Sequence, residues 1–135
     1  MRSIPLGAEG YFELRVCREH LANQFKDPLL PPVLSTPVML MAMENAALNA
    51  IRPYLDPGES AVGVAVDIRH IAATPLGFAI HAAAEVVAIE GNRVLFKISA
   101  TDGKDKIGGG THQRVVIELR TFEERLAEKQ RGSQP

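Results

Sequence analysis

The stretch that most limits what this chain can become is Ser35–Ile51, Ser-Thr-Pro-Val-Met-Leu-Met-Ala-Met-Glu-Asn-Ala-Ala-Leu-Asn-Ala-Ile. It reads as one helix. Thr36 suits the N-cap, since its hydroxyl can accept a bond from an unpaired amide of the first turn. Pro37 suits the first helical position, where its missing N–H costs nothing. Every residue from Val38 to Met43 is apolar, and a helix apolar on all sides is a buried helix. Glu44 stands in its middle. A carboxylate there is costly unless it is paired, hydrogen-bonded or protonated. The fold must therefore wrap this helix and give Glu44 a partner or a task.

The segments around it supply the wrapping. Tyr11–Val16 alternates as a strand and can extend towards His20. Asp27–Pro32 carries three prolines in six residues and must be irregular. Pro53 and Asp56-Pro57-Gly58 close the helix. Beyond it the period changes to that of strands: Ala61–His70, Phe78–Ile89, Val94–Ala100 and Thr111–Leu119. Between them lie turn signals at Thr74-Pro75-Leu76-Gly77, Glu90-Gly91-Asn92 and Asp102-Gly103-Lys104-Asp105. Thr121–Gln130 reads as a charged, partly amphipathic helix, and Gly132–Pro135 as a loose tail. Hairpin joints imply antiparallel pairing, so the expected class is α+β, one antiparallel sheet around one long apolar helix. Such a sheet leaves a helix flank and a sheet edge poorly covered. A second copy would cover both, so a homodimer or a higher oligomer is expected.

Composition narrows the function classes. At 135 residues the expectation is a single domain, residues 1–135, able to bury roughly two thirds of its unfolded surface. The net charge of −1, with both signs interspersed, argues against a nucleic-acid or anionic-membrane surface. The single cysteine, Cys17, excludes an internal disulfide and reads as a structural strand residue; no segment resembles a metal-ligand cluster. The N-terminal residues lack the apolar core of a signal peptide, and no apolar run is long enough to span a bilayer. The expected location is the cytoplasm, with no membrane partner.

Two short segments carry more. His70-Ile-Ala-Ala-Thr74-Pro75 and Gly110-Thr111-His112-Gln113-Arg114, with a spacing of eight from Thr36 to Glu44, together resemble the hot-dog-fold acyl-CoA thioesterases of the fluoroacetyl-CoA thioesterase family. The likeness runs from about Pro31 to Ile117. It implies a hot-dog fold and hydrolysis of a small acyl-CoA thioester, with no bound cofactor and no metal. In that family a threonine, a glutamate and a histidine are catalytic, and these fall on Thr36, Glu44 and His70. A glycine and an arginine contact substrate, and these fall on Gly63 and Arg114. Two departures stand out. Gly108-Gly109-Gly110 is richer in glycine than the family pattern, which suggests a loop that moves or that sits tight against a ligand. Leu29–Leu34 has no aromatic residue where the fluoroacetyl-specific enzyme carries an aromatic lid residue.

Read on their own chemistry, the same residues keep two readings each. Thioester hydrolysis needs an attacking oxygen, a proton for the leaving thiolate and dipoles for the oxyanion. Glu44 can be base or nucleophile, or a buried glutamate bonded to backbone or to Asn45. Thr36 can position substrate or water, or simply cap the helix. Eight helical residues advance about 12 Å and about 80° of azimuth, so Thr36 and Glu44 do not bond directly. A nucleophilic role for Thr36 needs an adjacent base that the sequence does not identify. His70 can serve the leaving thiolate or be a half-buried surface histidine. His20 and His81 read as ordinary, and His112 as structural or pocket-lining. Gly63 weakens a valine-rich strand, for close approach of a ligand or of the helix. Arg114 can pair with the phosphates or carboxylates of a coenzyme A ester, or lie on a solvated face. Met39, Met41 and Met43 are helix core or pocket. Beside hydrolysis stand a non-catalytic binder of acyl-CoA or another small hydrophobic ligand, and hydration of an enoyl thioester.

Overall fold

The computed structural model describes residues 1–132, and the last three residues of the expected loose tail lie outside it. The described elements are β1 (Glu9–Arg15), a 3-10 turn (Arg18–His20), the short helix α1 (Ala22–Phe25), the long helix α2 (Thr36–Ile51) and a 3-10 turn (Arg52–Tyr54). Then follow β2 (Glu59–His70), β3 (Ala79–Glu90), β4 (Arg93–Thr101), β5 (Lys106–Glu118) and α3 (Leu119–Gly132). Among these residues the strands form one antiparallel sheet in the order β1-β3-β4-β5-β2. The α+β arrangement expected from the alternation of periods is the one observed.

The sheet curls over α2, and the contact is made by small residues. Ala42, Ala46, Ala47 and Ala50 on the helix are buried against β1, β3 and β4, where Ala82, Ala84 and Ala100 are buried in turn. Backbones therefore approach closely. A Cβ on Gly10 would lie 2.1 Å from the Ala46 carbonyl oxygen. Larger side chains then fill the ends and flanks of this layer: Met39, Met43, Ile51, Ile80, Phe96, Ile98 and Ile107 are fully buried.

The helix is not enclosed on every side. It has little contact with β2, and its residues Leu40, Met41, Glu44, Asn45 and Leu48 are only partly covered. This departs from the wholly buried rod that the apolar run predicted. Alanines let one side of α2 sit on the sheet, and the bulkier residues of the opposite side stay at the surface. Glu44 belongs to that open stripe.

Two local expectations are corrected. The N-cap is Ser35, not Thr36, and it makes no side-chain cap bond. Thr36 opens the helix itself, and its hydroxyl is turned elsewhere. The Gly108–Gly110 run is not a loop. It lies inside β5, paired with Arg69, His70 and Ile68 of β2 on one side and with β4 on the other. A Cβ on Gly108 would meet Met39 at 2.7 Å, and one on Gly110 would fall 1.9 Å from the Asp67 carbonyl oxygen. These glycines admit the helix and the neighbouring strand, which is why β5 starts earlier than its β-branched residues suggest.

Candidate active site

Two groups of polar side chains line the open stripe of α2. At its N-terminal end the Thr36 hydroxyl and His70 Nδ1 are hydrogen-bonded at 2.8 Å. The ring comes from the last residue of β2. It is placed by a chain of bonds through the following loop: Ile71 N–H donates to the Ile107 carbonyl at 2.7 Å and Leu34 N–H to the Thr74 carbonyl at 2.8 Å. The buried Thr74 hydroxyl donates to Asp102 Oδ2 at 3.0 Å. Asp102 also accepts the amides of Lys104 and Asp105 at 3.0 and 2.8 Å. Burial alone would raise the Asp102 carboxyl, but the Asp105 and Lys104 amides and the Thr74 hydroxyl outweigh it and hold it below the usual range. One buried carboxylate thus ties the β4–β5 hairpin to the loop after His70 and, through Leu34, to the start of α2.

Burial lowers the pKa of His70, and the backbone of Ala72 opposes that shift. The ring is therefore held towards its neutral form. Its Nε2 is enclosed with no hydrogen bond of normal geometry. A ring nitrogen 2.8 Å from the threonine hydroxyl stands where the sequence alone offered Thr36 no neighbour. Sequence spacing could not supply it, because the contact joins residues 34 positions apart.

Two turns further along α2, Glu44 faces the second group. Its Oε2 lies 3.8 Å from Arg114 Nη1, and its side chain is 40% exposed. The carboxylate is therefore paired but still reachable. Burial lowers the pKa of Arg114 and the charge of Glu44 opposes it. The guanidinium donates through Nη2 to the Ala61 carbonyl at 2.7 Å and through Nη1 to His112 Nε2 at 3.1 Å. Gly63 completes the group. A Cβ there would stand 3.1 Å from Glu44 Oε2 and 3.3 Å from His112 Cε1. The strand register shifts just after it, between Gly63 and Ala65, a bulge of the kind that re-aims backbone groups beside a site. Glu44, Gly63, Val64, Ala65, Val66 and His112 line a cleft of about 230 Å³.

All five residues singled out in the sequence thus lie on one side of α2, but as two groups within a chain. Thr36 and His70 form one, and Glu44, Gly63 and Arg114 the other, with His112 joining the second. The helix separates their origins by about 12 Å. His20 does not stay ordinary. Cys17 Sγ lies 3.2 Å from its Nδ1, which also accepts the Cys17 N–H. With Glu19 they bring three potential donor atoms within 4.8 Å of one another, a grouping that the sequence did not suggest. The bonds close the 3-10 turn as a capping box. Burial, with Glu19 second, raises the Cys17 thiol.

Comparison with known proteins follows the same outline. The family model for fluoroacetyl-CoA-specific thioesterase matches residues 16–120. A fluoroacetyl-CoA thioesterase of Streptantibioticus cattleyicolor is 43% identical over 99 residues, 73% of this chain and 71% of that protein. The solved structure of the fluoroacetyl-CoA thioesterase FlK superposes with a TM-score of 0.88 at 33% identity, covering 98% of this chain and 99% of that one. A hot-dog-like protein from Thermanaerovibrio acidaminovorans gives a TM-score of 0.83 at 25% identity, covering 93% of each chain. A family match across most of the chain, with relatives this similar over most of their own lengths, means that the chain belongs to the fluoroacetyl-CoA-specific thioesterase family and has the hot-dog fold.

Proposed function

We propose that this protein hydrolyses a small acyl-CoA thioester to the free acid and coenzyme A, using Thr36, Glu44 and His70, with Gly63 and Arg114 at the substrate. The activity follows from the family to which the chain belongs. The observation that carries the assignment of residues is the half-exposed Glu44 carboxylate beside Arg114, over a cleft whose floor is Gly63. A carboxylate retained only for architecture would need no cleft beside it.

In this reading Glu44 supplies the attacking oxygen, either its own or that of a water it deprotonates. Addition to the thioester carbonyl puts charge on the oxygen, and collapse breaks the carbon–sulfur bond. The Thr36 hydroxyl meets the reacting group, and His70 behind it carries the proton that the leaving thiolate needs. One water is consumed: one of its hydrogens replaces the proton that His70 gives to the thiol, and the other leaves with the acid. Its oxygen ends on the acyl carbon if water attacks, or on Glu44 if Glu44 attacks and water then opens the anhydride at the glutamyl carbonyl. Arg114, 3.8 Å from Glu44, holds the carboxylate in place for the attack. The Gly63 backbone leaves room for the thioester. No aromatic residue lies within Leu29–Leu34, so the substrate class is taken as a small acyl group, fluorinated or not.

The two groups along α2 act on one extended substrate or are completed by a second copy. We infer a homodimer, possible members of a larger assembly included. Two features support it: the long outer strand β2, with Val64 and Val66 47% and 45% exposed, and the partly open helix flank beside it. Among the described residues no helix is long and apolar enough to cross a membrane. Cys17 as a free thiol fits a reducing compartment, and we infer the cytoplasm.

The test is release of free thiol from a panel of short acyl-CoAs by wild type and Glu44→Ala. Loss of the attacking group should lower kcat by about 10²–10⁴-fold. Equal background rates for both proteins would end the hydrolase reading. Single-turnover hydrolysis in oxygen-18 water then distinguishes direct attack, which labels Glu44, from activation of water, which does not.

A further inference from the structure

His112 is almost fully buried, with 2% of its surface exposed, and both of its nitrogens are engaged. Nδ1 lies 2.9 Å from the Ala65 carbonyl oxygen, and Nε2 lies 3.1 Å from Arg114 Nη1. A carbonyl can only accept and a guanidinium can only donate. The ring must therefore carry its proton on Nδ1 and present a bare lone pair from Nε2. No other protonation state satisfies both neighbours. The ring's plane is also set, because it stacks on Phe96 with centroids 5.8 Å apart and planes at 26°.

We infer that His112 is a positioning residue for the thioesterase reaction: locked as the Nδ1–H tautomer, it anchors the Arg114 guanidinium beside Glu44. The inference rests on the functional reading above and deepens it. Arg114 has three points of support in the site. Ala61 takes Nη2, His112 takes Nη1, and Glu44 stands 3.8 Å from the same Nη1. Its Nε is buried with no bond of its own. Removing the His112 lone pair leaves the Ala61 carbonyl and the 3.8 Å contact with Glu44 to orient a long side chain. The guanidinium is then free to turn from Glu44. The bulge after Gly63 belongs to the same device, since it lies in the segment whose Ala65 carbonyl selects the tautomer.

The arrangement has a consequence for pH. The charged groups facing the ring are Arg114 on its own strand and Glu44 on α2. From β2 it meets the Ala65 carbonyl and Gly63, and from β4 the Phe96 ring. Burial lowers its pKa, the Ala65 carbonyl and Glu44 oppose this, and Arg114 reinforces it. A proton added to Nε2 would point at the guanidinium, so acidification should detach Arg114.

The experiment is a double-mutant cycle on steady-state thiol release. His112→Phe keeps the stacking and removes both bonds; His112→Gln can still donate to Ala65 and accept from Arg114. Arg114→Gln provides the second edge. The expected result is a loss in kcat/KM for His112→Phe of about tenfold to a hundredfold, the range for one hydrogen bond to a charged group. His112→Gln should recover most of it. In the Arg114→Gln background His112→Phe should add nothing, because what it orients is already gone. Additive losses, or wild-type kcat/KM in a folded His112→Phe, would overturn the inference. Nitrogen-15 NMR of wild type decides the tautomer without turnover: Nδ1–H is expected, and Nε2–H would refute the anchor. A wild type that releases no thiol would remove the hydrolase reading, while the ring's nitrogen shifts would still judge whether it anchors Arg114.

Discussion

Gly63 shows what a single residue contributes here. Its φ is not in the left-handed region, so alanine is allowed by the backbone and is opposed only by its neighbours. The new methyl would press on Glu44 Oε2 and His112 at 3.1 and 3.3 Å. In a strand the change from glycine to alanine gains about 0.5–1 kcal/mol from chain entropy. The thermal midpoint of Gly63→Ala should therefore stay near that of wild type. Activity should not, because a misplacement of a reacting group by about 1 Å costs about a hundredfold, and the few tenths of an ångström that Glu44 must yield should cost up to about tenfold in kcat/KM. Parallel melting curves and thiol-release assays check the split. A large loss of midpoint would mean that the glycine serves packing alone. At this scale the sequence was readable where residue type implies chemistry. Glu44 in an apolar run and Gly63 in a valine-rich strand were both conspicuous. The Thr36–His70 bond was not, since it joins a helix to a strand 34 positions apart. His112 and Arg114 are two residues apart on one strand, but the Ala65 carbonyl that makes the ring an anchor comes from the neighbouring strand.

Elements were readable where a period repeats and obscure where glycine or a loop interrupts it. α2 was found to within a residue at its start, yet its cap was misassigned because Ser35 and Thr36 are equally suited by type and only the His70 contact separates them. β5 was cut short because its first half is glycine, and α1 lies in four residues too few to show a period. The element that matters most to the first polar group is the Asp102 hairpin. Asp102→Ala leaves the buried Thr74 hydroxyl and the Lys104 and Asp105 amides to find new partners, at a cost of about 1–3 kcal/mol. Urea unfolding should show that loss, and thiol release should fall with it as His70 loosens from Thr36. The acid limb of stability has two stages. His70 and His112 have lowered folded pKa values, so below about 6.5 the unfolded chain binds more protons than the native one. Stability is then lost as pH falls from that value. Asp102 is also lowered but is a carboxylate, so its contribution persists until pH falls through its own folded value, below the usual carboxylate range. Urea midpoints between pH 7.5 and pH 5.5 should therefore decline in wild type and less steeply in His112→Gln. These two pH values straddle the histidine range and avoid the carboxylate one.

For the whole molecule, the sheet has two outer strands, and they are treated differently. β1 is short and charged, with Glu9, Glu13 and Arg15 along it. β2 runs for twelve residues with Val64, Ala65 and Val66 exposed in its middle and no lysine or proline to discourage pairing. Long, apolar outer strands left open are association sites. Gly63 and the cleft beside Glu44 sit on that strand, so whatever pairs with β2 also borders the site. A second copy laid antiparallel along β2 would continue the sheet and cover the open flank of α2. Wild type at micromolar concentration should then sediment at twice the chain mass. Val64→Lys with Val66→Lys places two like charges near a two-fold axis and should return the protein to the monomer. Both side chains are nearly half exposed in the single chain, so the monomer should keep its far-ultraviolet spectrum. If the second copy completes the site, thiol release should fall in step with the dimer fraction and recover as protein concentration rises. A wild-type monomer with full turnover would refute the pairing and leave the extended substrate as the only link between Thr36 and Glu44.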